Sequence, residues 1–187
     1  MSGSSGWISA VVSLLRDELS VRDGVLREDD AGSTCKEIQI KYTGKRLVLS
    51  FNAKIDGVCI QNRLFPLFRP REGIGRMCDY WIICEHGAPR AVPYVFLCEL
   101  KSGNPRGLDQ LENGQLLAKY VVSMVAHHEK INVDNVEYRG LIFSPAYRAN
   151  KAGLTPGKCQ YIKTGKPGMK VAFLPDEGPY RLEALCS

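Results

Sequence analysis

Only three histidines occur, His86, His127 and His128, and the seven cysteines (35, 59, 78, 84, 98, 159 and 186) form no C-x-x-C pair. A structural zinc site draws four nitrogen or sulfur ligands from short, regular spacings, so no such site is supported. An odd number of scattered cysteines, several inside apolar runs, also argues against a disulfide framework and reads as reduced core thiols of a cytoplasmic protein. No apolar run is long enough to cross a bilayer, and Met1-Ser2-Gly3-Ser4-Ser5-Gly6 lacks the charged and apolar segments of a secretory signal. Residues 1–6 read as a flexible leader or tag, and no membrane partner is expected. Acidic residues are missing altogether between Tyr138 and Pro175, where seven lysines and arginines occur.

What is there suits one domain over residues 7–187, with a basic C-terminal extension from about residue 145. The formal net charge is +5, mild enough to be ordinary and compatible with a polyanionic partner.

The chain is organised around Tyr94-Val95-Phe96-Leu97-Cys98-Glu99-Leu100-Lys101, a short apolar run that reads as a buried strand. Side chains alternate across a strand, so Glu99 and Lys101 should share a face with Val95 and Leu97. Charges at the end of a core strand are costly unless they are paired or bind a metal, which marks a site.

The preceding run, Cys78 to Cys84, carries Asp79 near its start and is joined to the Glu99 strand by the turn-rich stretch from Glu85 to Pro93. The two read as a hairpin, and antiparallel pairing sets the start of one strand beside the end of the next. Asp79, Glu99 and Lys101 should then converge. Asp56 is the competing acid, but Asp56-Gly57 has the chemistry of a turn. Asp79 and Glu99, with the Leu100 backbone carbonyl, are hard oxygen donors, so Mg2+ or Mn2+ is the expected ion.

An Asp opening one strand and Glu-x-Lys closing the next resembles the motif of the PD-(D/E)XK nuclease superfamily, with Cys78 where the motif has Pro. The resemblance spans roughly Trp7 to Ser144. It implies a restriction-endonuclease-like αβββαβ core in an α/β (mixed α+β) fold, with a central mixed sheet flanked by helices. It also implies a metal-dependent nuclease, with DNA endonuclease action the first expectation. The alternative is a catalytically inactive nuclease-fold module that binds nucleic acid or a partner protein. A homodimer or a larger effector complex is compatible with either.

Helical spacing from Trp7 to Leu19 puts Glu18 on the apolar stripe, where it could add to the metal site as a first-helix Glu does in that superfamily. Leu108 to Ala126 reads as a helix apolar on nearly every side and hence largely buried. By the same resemblance Gln110 in its first turn is the catalytic Gln, with Gln115 and Tyr120 as alternatives. Glu137 to Ser144 reads as a strand parallel to the Glu99 strand, reached through a right-handed crossover. Nucleic-acid contacts are expected from Arg69, Arg71, Arg76 and Arg106 in two Pro/Gly-containing connections. Arg148, Lys151, Lys158 and Lys163 in the acid-free block should add to them. Lys170 to Leu174 reads as a final strand, and Val21 to Lys36 as an exposed loop.

Overall fold

The computed structural model describes residues 6–28, 32–35, 37–60, 73–87, 91–103, 107–148, 154–155, 158–163 and 169–187. Helix α1 (Gly6–Leu14) is followed by β1 (Val25–Leu26), β2 (Ile38–Lys41), β3 (Arg46–Ser50), β4 (Lys54–Ile55) and β5 (Val58–Cys59). The central hairpin is β6 (Tyr80–His86) and β7 (Val92–Leu100), and the long helix α2 (Leu108–Glu129) leads to β8 (Glu137–Phe143). Then come β9 (Leu154–Thr155), β10 (Lys158–Cys159), β11 (Ile162–Lys163), β12 (Lys170–Leu174), β13 (Tyr180–Arg181) and α3 (Leu182–Cys186).

Six strands form a mixed sheet in the order β11-β12-β8-β7-β6-β3. The β3–β6 and β6–β7 pairs are antiparallel, whereas β7–β8 and β8–β12 are parallel. A parallel neighbour cannot be reached by a tight turn, and the 22 residues of α2 make that crossing. The fold is thus mixed α/β, and the β6–β7 hairpin and parallel β8 lie where the sequence pattern puts them.

Alternation along the strands divides the core in two. Leu47, Leu49, Trp81, Ile83, Val95, Leu97 and Ile142 face α1 and α2, while Val48, Ile82, Phe96, Cys98, Leu100, Leu141 and Phe143 face the opposite side. That second face is covered by α3 and a small sheet in the order β1-β2-β13. The apolar alternation of β2, with Ile38 and Ile40 buried, and the parallel docking of β13 upon it are absent from the sequence reading. Lys170–Leu174 is therefore not the last strand. Asp56 and Gly57 both have positive φ (52° and 76°), the left-handed pair that a two-residue hairpin between β4 and β5 requires.

Two expectations about helices are corrected. The first helix stops at Leu14 rather than Leu19, and Asp17–Leu19 is a 3-10 turn. The cause is the edge of β3: Ser20 bridges Leu49 and the Val21 N–H donates to the Val48 carbonyl, so the chain must straighten before it gets there. The second correction concerns α2, which buries Leu111, Gly114, Gln115, Ala118 and Val125 yet leaves Leu116, Tyr120 and Met124 exposed. Among the described residues no helix is long and apolar enough to cross a membrane.

Candidate active site

Antiparallel register pairs Tyr80 with Cys98, so the next residues outward, Asp79 and Glu99, lie opposite each other where β6 begins and β7 ends. Both are buried, Asp79 at 8% exposure and Glu99 at 1%. The ends of the two strands are fixed by the backbone. Phe51 N–H donates to the Asp79 carbonyl, and Lys101 N–H to the Phe143 carbonyl, both at 2.9 Å.

Asp79 folds its side chain back against β7. Its Oδ2 accepts the Leu100 N–H at 2.8 Å, and its Oδ1 accepts a long hydrogen bond from Asn52 Nδ2 at 3.5 Å. An extended residue sends its N–H and C=O toward the same neighbour, so the Leu100 carbonyl leaves β7 on the Asp79 side.

Glu99 lies on the Val95/Leu97 face, as alternation requires. Its Oε1 is held by Lys101 Nζ, and that lysine keeps about a quarter of its side chain exposed. Glu99 Oε2 is fully buried and has no hydrogen-bond partner among the described residues. Burial, and then the charge of Asp79, push the Glu99 carboxyl up to about 8, with Lys101 pulling the other way and Glu28 adding to the rise.

Helix α2 starts at this pair. Gly107 is its N-cap residue, and a Cβ added there would stand 3.0 Å from Glu99 Cγ and 3.5 Å from Lys101 Cε. Two turns further, a Cβ on Gly114 would meet Cys78 Sγ at 2.6 Å, so the helix rides close to the sheet at both places. The first turn of α2, whose leading N–H groups have no acceptor within the helix and which carries the positive dipole end, thus starts beside Glu99.

Gln110 is tied elsewhere. Its Nε2 donates to the Met77 carbonyl at 3.4 Å, two residues ahead of Asp79, which makes it a brace for that segment. Asn113, not singled out from the sequence, is the stronger brace, donating at 2.8 Å to the carbonyls of both Gly73 and Arg76. Gln115 is buried along α2, and Tyr120 is 61% exposed on its outer side, which removes Tyr120 from the site.

Glu18 is also corrected. It sits on the 3-10 turn with a half-exposed side chain, 4.0 Å from the Arg16 guanidinium, so the inward phase expected of a longer helix does not apply. Glu28, in the stretch read as an exposed loop, is half-buried and is the further acid whose charge Glu99 feels. Among the described residues no group of three or more His, Cys, Asp and Glu is arranged to hold a metal. Asp79, Glu99 and the Leu100 carbonyl nevertheless fit a hard cation. Magnesium typically takes one or two carboxylates and fills its remaining positions with water and substrate oxygens, and Glu99 Oε2 is an unsatisfied donor of that kind.

Past Lys101 the chain is clamped. Ser102 Oγ lies 2.5 Å from Ser33 Oγ and accepts the Thr34 N–H at 3.1 Å, and the Ser102 carbonyl accepts Thr34 Oγ1 at 2.9 Å. Arg148 braces the same segment, donating to the Thr34 carbonyl at 3.3 Å while gripping fully buried Asp176 with two hydrogen bonds of 2.6 Å. A guanidinium so engaged is structural, which corrects the expectation that Arg148 contacts phosphate. Arg139, counted in the same acid-free block, is 5% exposed and donates to the carbonyls of Leu185 and Ser187. It too is no free surface cation. Lys163 on β11 and Arg76 are exposed, and the backbone of Lys158 lies in β10. Arg69, Arg71, Arg106 and Lys151 lie outside the described residues.

No family model, curated protein or solved structure matches this chain.

Proposed function

We propose that the protein is a metal-dependent phosphodiesterase that hydrolyses nucleic acid, DNA in the first place, with Asp79, Glu99 and Lys101 at the reacting centre. The observation that carries this reading is Glu99 Oε2, a fully buried carboxylate oxygen that has no hydrogen-bond partner among the described residues, on a side chain paired to Lys101 and set opposite Asp79 across the strands. Leaving such an atom unsatisfied costs about 1–3 kcal/mol or more, a cost that a cation would remove. The element order α1, β3, β6, β7, α2, β8, with Asp79 just before β6 and Glu99 near the end of β7, supports a restriction-endonuclease-like core.

Asp79, Glu99 and the Leu100 carbonyl would hold Mg2+ or Mn2+. Bound there, the ion supplies a lowered pKa for an attacking water and neutralises charge on the scissile phosphate. Lys101, paired to Glu99 yet partly open to solvent, would orient that water and stabilise the negative charge that builds on the phosphoryl oxygens. The N–H groups at the start of α2 offer a second positive surface to the phosphate. Gly107 lets the helix approach closely enough for both to act together. The water oxygen would join phosphorus as one ester P–O bond breaks, and the proton that the water gives up ends on the departing oxygen.

Gln110 bonding to Met77 rather than to the carboxylates favours the second reading, a nuclease-fold module that binds without cutting. Incubating DNA and RNA with the protein, with and without Mg2+ or Mn2+, separates the two. Cutting that needs the ion and is lost in Glu99→Ala supports the first; binding with no cutting under any condition supports the second.

A further inference from the structure

Two cysteines meet beneath α3. Cys84 on β6 and Cys186 on α3 are 102 residues apart in the chain, yet their Sγ atoms lie 4.0 Å apart in the core. Cys84 is fully buried and Cys186 nearly so. Among the described residues this is the one thiol–thiol hydrogen bond.

Helix α3 is seated around this pair. Tyr94 Oη on β7 donates to the Cys186 carbonyl at 3.0 Å, and Tyr161 Oη to the Leu185 carbonyl at 2.7 Å. Arg139 on β8 donates to the carbonyls of Leu185 and Ser187, at 2.7 and 3.0 Å. Its guanidinium is itself sandwiched between the rings of Tyr94 and Tyr161, 4.9 and 4.7 Å from their centroids. Strand β6, which supplies Cys84, lies directly beside β7. These bonds set the register of α3 on the sheet, so after any local opening the Cys186 sulfur returns to its place against Cys84.

We propose that Cys84 and Cys186 form a reversible disulfide that ties α3 to β6, with a low-molecular-weight disulfide such as oxidised glutathione as the oxidant. Bonded sulfurs stand about 2.05 Å apart, so the two atoms must close by about 2 Å. Rotation about the two Cα–Cβ bonds moves the sulfurs with the backbone in place.

The exchange takes two steps. First the Cys186 sulfur attacks one sulfur of the small disulfide. That S–S bond breaks, a mixed disulfide forms on Cys186, and one small thiol leaves with the Cys186 proton. Then the Cys84 sulfur attacks Cys186 Sγ, the mixed disulfide breaks, and the second small thiol leaves with the Cys84 proton. Two electrons pass from the cysteine pair to the small disulfide. Contact with Cys186, and then burial, hold the Cys84 thiol well above its usual range, so the closed pair is protonated at neutral pH and exchanges slowly. The five residues of α3 are what must lift to admit the reagent.

Cys84 lies five residues along β6 from Asp79, about 16 Å. The tie stands or falls independently of whether the carboxylate site cuts nucleic acid.

Incubation of the full chain with excess oxidised glutathione, then alkylation of free thiols and non-reducing peptide mapping by mass spectrometry, tests the inference. The expected product joins the Cys84 and Cys186 peptides and forms over hours. It should melt about 5–15 °C above the reduced chain, because the bond closes a loop of about 100 residues. Dithiothreitol should reverse both effects. Half-buried Cys35 and Cys59 should stop at mixed disulfides with glutathione. Cys59→Ala should keep the gain in melting temperature and Cys186→Ala should lose it. Absence of the Cys84–Cys186 peptide, a bond from either residue to another cysteine in its place, or a melting gain that persists in Cys186→Ala would overturn the inference.

Discussion

Gly107 and Glu99 touch where β7 hands over to α2: a Cβ on the glycine would stand 3.0 Å from Glu99 Cγ. The backbone there has φ at −158° and ψ at 3°, neither extended nor left-handed. Gly107→Ala should cost about 1 kcal/mol of stability, from the weaker cap and the crowded carboxylate. It should slow cleavage by at least about tenfold, because a small displacement of Glu99 misplaces the reacting groups. Gly107→Val should cost about 1–3 kcal/mol. Thermal melting and cleavage rates of the two variants check this.

Stability should depend on pH through Glu99. Its folded carboxyl lies at about 8, raised first by burial and then by Asp79, against about 4.3 in an unfolded chain. The folded state therefore holds the proton more tightly. Without a divalent ion, stability should fall as pH rises from about 4.3 to about 8, by on the order of 5 kcal/mol in all. Glu99→Gln stays neutral and should melt above wild type at about pH 8.5, the gap closing near pH 4. Added Mg2+ or Mn2+ should raise the wild-type melting temperature at the alkaline end and leave that of Glu99→Gln unchanged. Melting curves across pH, with and without the ion, read both effects.

The sequence showed the β6–β7 hairpin, the parallel β8 and the shared face of Glu99 and Lys101, because apolar run length and two-residue alternation are local properties. Glu18 was misplaced because helical phase was carried through residues 15–16, where capture of Ser20 and Val21 by β3 ends the helix. Strand β2 is four residues long and gains its covering from β13, some 140 positions later, which no local window contains. The roles of Arg148 and Arg139 depend on Asp176 and on α3, so their charge alone gave the wrong reading. Asn113 and Ser102 act by bonding distant backbone, a signal that composition does not carry.

Arg148 is expected to matter for folding rather than for phosphate contact. Arg148→Ala removes the guanidinium from an Asp176 carboxylate that is fully buried, which should cost about 3 kcal/mol. Asp176→Asn with Arg148 intact should be less damaging, since the amide can still accept one of the two hydrogen bonds. Denaturant titration of the two variants measures the difference.

Removing the Asn113 brace should loosen the segment that leads to Asp79. Asn113→Ala gives up both hydrogen bonds to the Gly73 and Arg76 carbonyls, for about 1–2 kcal/mol in sum. Backbone amides near residues 73–77 should then exchange hydrogen faster, while those of β7 keep their protection. Hydrogen-exchange mass spectrometry of the variant resolves the two regions.

The most direct test is nucleic-acid cleavage by purified wild-type protein alongside Asp79→Ala, Glu99→Ala and Lys101→Ala, on linear and branched DNA and on RNA, with Mg2+, Mn2+ or a chelator. Asp79 and Glu99 are proposed to hold the ion, and Lys101 to act mainly in the transition state. Wild type should cut only with a divalent ion, and each variant should lose at least about a hundredfold in rate while still binding substrate. Binding without cutting by wild type on every substrate and with both ions, or cutting that survives in Glu99→Ala, would contradict the account.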